Sequence, residues 1–298
     1  MAVIIWATLA ALAIAVLIWS TLIERNAYVV RKESLRILPR GSKPIAVLHV
    51  GDIHLAPWQK RKKRWVAGLA RLQPDLVINT GDNLGHIDAV EPALAALAPL
   101  MKFPGVFVNG SNDFRAPVPR NPFEYLRKPS ERSEGPELDT AKLHAGFRAA
   151  GWLNLNNREG LLEINGLKLG FLGVDDAHDD LDDLDSLRVQ RNRLDGSGLI
   201  IGVSHAPYLR VLEAMTTTGA SLIFAGHTHG GQVCVPGFGA LTTNCDLPVK
   251  HAKGLSSWKF GERHSVLNVV AGLGHSIYAP VRFACRPEVR FLTLLPRA

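Results

Sequence analysis

Cysteine is scarce in this chain. Only Cys234, Cys245 and Cys285 occur in 298 residues, an odd number with no C-x-x-C spacing. That excludes a disulfide framework and a zinc ribbon, and leaves reduced thiols as the simple reading. No segment repeats with a solenoid period. A protein-wide basic surface is missing too, although the formal net charge is +7. Residues 24–72 hold 12 Lys/Arg against 3 Asp/Glu, whereas the rest of the chain holds 22 against 24. The excess therefore lies in one place, which argues for anionic lipid head groups ahead of nucleic acid.

Charge is absent altogether from Ala2 to Ile23, a run of 22 residues. As a helix this run would be about 33 Å long, enough to cross a hydrocarbon core of about 30 Å. Trp6 and Trp19 lie near its ends, where indoles favour the interface. A cleaved signal peptide fits poorly, because no Lys or Arg precedes the run, the run is too long, and no A-x-A site or twin-arginine pair accompanies it. The expectation is a single-pass anchor over 2–23, a basic juxtamembrane linker over 24–43 and one catalytic domain over 44–298. Arg25, Arg31, Lys32, Arg36 and Arg40 all follow the span. The positive-inside rule then places the domain in the cytoplasm, beneath the cell membrane.

From Pro44 short apolar runs alternate with helical stretches, the pattern of an α/β domain. Strands are expected at Pro44–Val50, Asp75–Thr80, Val106–Asn109, Leu167–Val174, Leu199–Ser204, Leu222–Ala225, Val266–Val270 and Val289–Leu295. Asn165-Gly166 reads as a hairpin turn. Helices are expected near Lys60–Leu72, Ala89–Leu100, Thr140–Ala150 and Tyr208–Thr216. Pro117 to Pro136 reads as a long surface loop over the site.

Most of these apolar strands end in a polar cluster, and open α/β sheets gather ligands at the carboxyl ends of their strands. Gly51-Asp52-Ile53-His54 follows the first strand, Gly81-Asp82-Asn83 the second, and Gly110-Ser111-Asn112-Asp113 the third. His205 follows a later strand, and Gly226-His227-Thr228-His229-Gly230-Gly231 ends the strand from Leu222. Continued extended backbone would turn Asp52 and His54 to one side, and His227 and His229 likewise. Asp and His together supply the oxygen and nitrogen ligands of a divalent transition metal. Each piece is weak alone; the ordered set is specific.

The blocks VLHVGDIHL, INTGDN, VSHAPY and FAGHTHGGQV resemble the calcineurin-like metallophosphoesterases, especially a bacterial membrane-linked branch, over most of residues 44–295. The resemblance implies a two-sheet αββα sandwich with two divalent metal ions (Mn, Fe or Zn) in one cleft. By motif position, Asp52, His54 and His229 would hold the first metal, Asp82 would bridge, and His205 and His227 would bind the second. Such a chain would be a metal-dependent phosphoric ester hydrolase of the phosphodiesterase type. One block departs from the family, which usually has G-N-H-D or G-N-H-E where this chain has Gly110-Ser111-Asn112-Asp113. Either Asn112 replaces the usual Asn ligand through its carbonyl oxygen and the usual His acid is lost, or the second metal site is weak.

His86, four residues after Asp82, is the candidate to line the cleft and replace that acid, against the simpler reading of a solvent-facing loop histidine. His178, in Asp175-Asp176-Ala177-His178, is a catalytic candidate to meet the substrate or stand behind the metal ligands. His275 is a third candidate at the rim, and His49 reads as structural. The run Lys60-Arg61-Lys62-Lys63-Arg64-Trp65 reads either as a solvated helix face or as a membrane-surface contact. The expected substrate is a phosphate ester at the membrane, a lipid-linked phosphodiester or pyrophosphate, and no stable protein partner is expected. Two alternatives stand beside it: an anchored phosphodiesterase acting on soluble nucleotides or nucleic acid, and a catalytically weak, metal-binding membrane regulator.

Overall fold

A computed structural model describes residues 1–119 and 135–298. The stretch read in sequence as a loop from Pro117 to Pro136 falls largely outside the described residues. The chain opens with helix α1 (Ala2–Ile18), none of whose residues is buried. Helical turns carry it through Trp19–Ile23 and Glu24–Asn26, so the apolar helix is long enough to cross a membrane.

The next element corrects the expectation of a linker. Val29–Leu38 form a ten-residue strand, β1, rather than a tether. The strand was hidden because Arg31, Lys32, Glu33 and Arg36 interrupt its apolar pattern. It is an edge strand, where charged side chains are tolerated and discourage pairing with another chain.

The remaining elements follow as β2 (Ile45–Val50), α2 (Lys60–Gly68), β3 (Leu76–Asn79), α3 (Val90–Leu97), β4 (Gly105–Phe107), α4 (Thr140–Ala149), β5 (Leu153–Asn154), β6 (Glu159–Ile164), β7 (Leu167–Gly173), α5 (Ser186–Asn192), β8 (Leu199–Val203), α6 (Leu209–Thr218), β9 (Leu222–Ala225), β10 (Cys234–Val235), β11 (Gly239–Ala240), β12 (Gly254–Phe260), β13 (Arg263–Val269) and β14 (Glu288–Pro296). They build two six-stranded sheets, ordered β1-β14-β2-β3-β4-β5 and β12-β13-β9-β8-β7-β6, and a small β10-β11 hairpin. β14 joins β1 in parallel and β2 antiparallel, so the end of the chain is the splice between them. Asn165 and Gly166 both have positive φ, 54° and 82°, as the expected two-residue hairpin between β6 and β7 requires.

Alternation within the strands divides the core into layers. Ile45 and Val47 of β2 and Leu76 and Ile78 of β3 pack between the sheets with Phe171, Ile201 and Phe224. Their neighbours Leu48, Val50 and Val77 face outward onto Val66 of α2, Leu97 of α3 and Phe147 of α4. On the other outer face, Ile200 and Ile223 pack against Leu187 of α5 and Leu212 and Met215 of α6. This is the two-sheet αββα sandwich expected from the sequence. The loops after β2, β3 and β4 of one sheet and after β8 and β9 of the other carry the polar motifs.

Candidate metal centre

The motif residues reach a common site, but not through extended backbone. Asp52, His54, Asp82, His227 and His229 all have positive φ, between 42° and 67°. For residues with a side chain this left-handed region costs about 1–2 kcal/mol each and persists only where the surroundings enforce it. Here the loop after β2 is zipped to the loop after β3: Asp52 N–H donates to Gly81 O, His54 N–H to Asp82 O and Leu55 N–H to Asn83 O, each at 2.9 Å. The amide of His227 donates to both carboxylate oxygens of Asp52, at 3.0 and 3.1 Å. Two glycines make this approach feasible. A Cβ on Gly226 would run into the Asp52 carboxylate, and one on Gly110 into Asp82 and the His205 ring.

Asp52, His54, Asp82 and His229 each present a ligand atom within 4.8 Å of the others, so they could hold a metal ion. His54 Nε2 lies 3.2 Å from both His229 Nε2 and Asp82 Oδ2, and His229 Nε2 lies 3.6 Å from Asp52 Oδ1. Two imidazole nitrogens bound to one ion at about 2.0–2.1 Å stand about 2.9–3.4 Å apart, so the spacing suits a shared cation. On the far side of Asp82, His205 Nε2 lies 3.6 Å from Asp82 Oδ2. His205 Nδ1 is 2.7 Å from the Thr80 carbonyl, which can only accept, so Nδ1 carries a hydrogen and Nε2 is the nitrogen left for a ligand. Among the described residues that buried nitrogen has no hydrogen-bond partner, so it is placed to give up a proton and take a metal. The ring of His227 packs edge-on to His205 at 5.2 Å between centroids. Its Nε2 is taken up by Asn244, through the backbone oxygen at 3.1 Å and the side-chain amide at 3.3 Å, which leaves Nδ1 as the nitrogen for coordination.

Asn112 also reaches the centre. Its backbone N–H donates to Asp82 Oδ1 at 2.8 Å and its Nδ2 to Asp82 Oδ2 at 2.9 Å. Asp113, next in the chain, is structural: it accepts from Asn83 N–H at 2.8 Å and from Gly110 N–H at 3.2 Å. His178 stands beside the centre, its ring 4.6 Å from that of His227 and its Nδ1 3.0 Å from the Tyr208 hydroxyl. His86 is oriented elsewhere. It accepts from the Asp88 N–H and meets the Trp58 ring edge-on at 5.0 Å, and none of its hydrogen bonds or ring contacts reaches the cluster. His49 is internal, between Thr80 and Asn268.

The charge balance favours a cation. Burial, with Asp82 nearby, pushes Asp52 up to about 6. Burial also pushes Asp113 to about 7 and Asp176 to about 8. Burial opposes a charge on His205, yet Asp82, Asp52 and Asp176 together outweigh it and raise the imidazole to about 9. Burial would likewise raise Asp82, but His205 and His54 overcome it and hold that carboxylate well below its usual range. Without a metal, the negative charge around Asp82 is offset by a proton kept on His205 and by protons that Asp52, Asp113 and Asp176 hold to higher pH than usual.

Several supporting residues lie outside the metal motifs, and of these the sequence marked only His275, as a rim candidate, and Lys62, as part of the basic run. Arg282 is wholly buried and donates to the carbonyls of Ala271 and Gly274, both at 2.7 Å, and to His229 O at 3.3 Å. Lys62 belongs to the basic run yet points inward, donating to Ile53 O at 2.9 Å and His54 O at 3.3 Å. His275 is buried at the end of the apolar helix, its Nε2 3.4 Å from Arg25 Nη1. Glu24 is buried as well and accepts from the backbone of Ala284 and Cys285, and Arg282 N–H donates to Ser20 O. The base of the apolar helix is therefore bonded to the segment that carries Arg282. Nothing in the sequence marks Arg282 or Glu24, because their burial is decided by contacts between distant segments.

Comparison with known proteins agrees with this geometry. The family model described as calcineurin-like phosphoesterase matches residues 45–231. The Bacillus subtilis "Uncharacterized protein YpbG" is 27% identical over 259 residues, 86% of this chain and 83% of its own. A Danio rerio protein described as "Transmembrane protein with metallophosphoesterase domain" is 26% identical over 263 residues, 86% of this chain but 54% of the relative. The Escherichia coli "Phosphodiesterase YaeI" is 40% identical over 86 residues, 28% of each chain. The match runs from the first residue of β2 to the second glycine after His229, so it takes in every loop that builds the cluster, and the chain belongs to the calcineurin-like phosphoesterase family, hydrolases acting on phosphate esters.

Proposed function

We propose that this protein is a membrane-anchored, dinuclear metal-dependent phosphodiesterase or pyrophosphatase acting on a lipid-linked substrate from the cytoplasmic side. The carrying observation is the cluster of buried Asp52, His54 and Asp82 with half-buried His229, and across Asp82 the buried His205 Nε2 that has no hydrogen-bond partner among the described residues. In this reading Asp52, His54 and His229 hold one ion, and His205, His227 and Asn112 the other, with Asp82 shared. Two ions held there would activate water and stabilise negative charge on the phosphoryl group. The chain's own part is to hold the ligand atoms rigid in strained loops, to keep the site dry at its base, and to orient the substrate along the wall of His178 and Tyr208.

Asn112 cannot donate a proton to a leaving group as a histidine would. A missing general acid typically forfeits about 10²–10⁴-fold in rate, and the loss matters least when the leaving group is already stable. Pyrophosphate and aryl leaving groups therefore fit this site better than alkyl ones. The lipid preference rests on the apolar helix whose base is bonded beside Arg282. The diester assignment is supported by the phosphodiesterase named among the relatives.

The test uses the full chain in detergent, with metal content measured alongside hydrolysis of an aryl phosphodiester and of a polyprenyl pyrophosphate in mixed micelles. Asp82→Asn should lose both metals and activity together, because the carboxylate faces both His54 and His205. Asn112→Ala should lose part of the metal, and wild-type rates should rise steeply as leaving-group pKa falls. Unchanged stoichiometry in Asp82→Asn would refute the shared ligand. Flat dependence on the leaving group would refute the absence of an acid, or show that chemistry is not rate-limiting, and a pH–rate profile of His86→Ala would separate the two.

A further inference from the structure

The basic run of α2 does not present one uniform charged face. Lys62 turns inward to the loop of His54, and Lys63 donates to Pro57 O at 2.8 Å. Arg61 and Arg64 remain outside and, with Arg71 from the following turn, rim an open groove of about 460 Å³. Its floor is apolar, made by Val30 of β1, Trp65 and Leu72. No carboxylate lines it, and among the described residues none of the three arginines is in a salt bridge. Unpaired guanidiniums present planar forks of N–H groups that match phosphate oxygens. A free phosphate has no use for the apolar floor, whereas an amphiphile would use both parts.

The location selects the amphiphile. Tyr28 packs its ring against Trp65 at 5.3 Å and bonds Asn26, the last residue of the helical run that begins with α1. The groove is thus one side chain away from the point where the apolar helix ends. We propose that this groove binds an anionic phospholipid, its phosphate between Arg61, Arg64 and Arg71 and the start of its acyl chains over Trp65, Val30 and Leu72. The site is separate from the metal cluster and rests on the reading of α1 as a membrane span. It would fix how the domain lies on the bilayer, since α1 and the groove would grip the same leaflet.

The test is thermal unfolding of the full chain in detergent, titrated with short-chain phosphatidylglycerol, with phosphatidylcholine, or with inorganic phosphate. Phosphatidylglycerol is itself a phosphodiester, so metal is first stripped with chelator to silence the catalytic centre. Phosphatidylglycerol should raise the Tm saturably, phosphatidylcholine should not, and inorganic phosphate at equal concentration should fall well short. The combined variant Arg61→Gln, Arg64→Gln, Arg71→Gln should keep its lipid-free Tm and lose the phosphatidylglycerol shift; Arg64→Gln alone, the safer fold, should weaken it. A shift equal in phosphatidylcholine, or equal with inorganic phosphate, overturns the lipid assignment. So does a shift that survives in the arginine variants. No arm reads turnover, so failure here leaves the catalytic reading to its own test.

Discussion

Replacing Lys62 with methionine should change the pH dependence of stability in a way that identifies a buried amine behind the metal loop. Lys62 is 3% exposed. Burial first, then the Arg282 and Arg25 charges, lower its pKa from 10.5 to about 7. In the unfolded chain the amine stays protonated to about 10.4, so between about 7 and 10 the unfolded state binds more protons than the folded one. Stability then rises with pH across that window, and the penalty is fully present below pH 7. From pH 7 to 9.5 the gain comes to about 3 kcal/mol for this one group. Other buried groups titrate nearby: raised carboxylates such as Asp113 and Asp176 contribute in the opposite direction. The quantity to measure is therefore the difference between wild type and Lys62→Met, by thermal unfolding of the metal-free full chain at both pH values. The wild type should gain on the variant as pH rises, and parallel curves would refute the reasoning. The variant should also leave the Ile53 and His54 carbonyls without their donor, and metal affinity should fall about 10–100-fold, as when a ligand loses its support.

Metal affinity should rise with pH, because ions must displace protons from Asp52, near 6, and from His205, near 9. Chelator competition should show about a tenfold gain per pH unit for a site containing His205, levelling above about pH 9; a flat profile from pH 6 to 8 would exclude His205 as a ligand. Reporter fusions after Ala298 should place the C-terminus in the cytoplasm, and an active alkaline phosphatase fusion would reverse the orientation. Gly110→Ala should cost metal and activity together, since its Cβ enters the space of Asp82 and His205; full metal content in that variant would contradict a role for the packing around Asp82 and His205 in metal binding.

The motifs and their order were legible in the sequence because the chemistry is local: an apolar strand, a glycine, then an Asp or His. The strands β2, β3, β8 and β9 were readable for the same reason, being short apolar runs covered on both faces. The apolar helix needed only composition. What the sequence could not show depends on contacts between distant segments. β1 was invisible because its charges suit an edge strand and its partner, β14, lies at the other end of the chain. Asp52 and His54 were expected together from extended geometry, yet they meet through left-handed backbone imposed by the neighbouring loop of Asp82. The inward turn of Lys62 could not be separated from the outward turn of Arg61 and Arg64 in a run of like charges, because only the packing of α2 decides which side chain faces carbonyls and which faces the groove. Local chemistry announced the metal site; tertiary packing decided which charges support it and which remain free for a ligand.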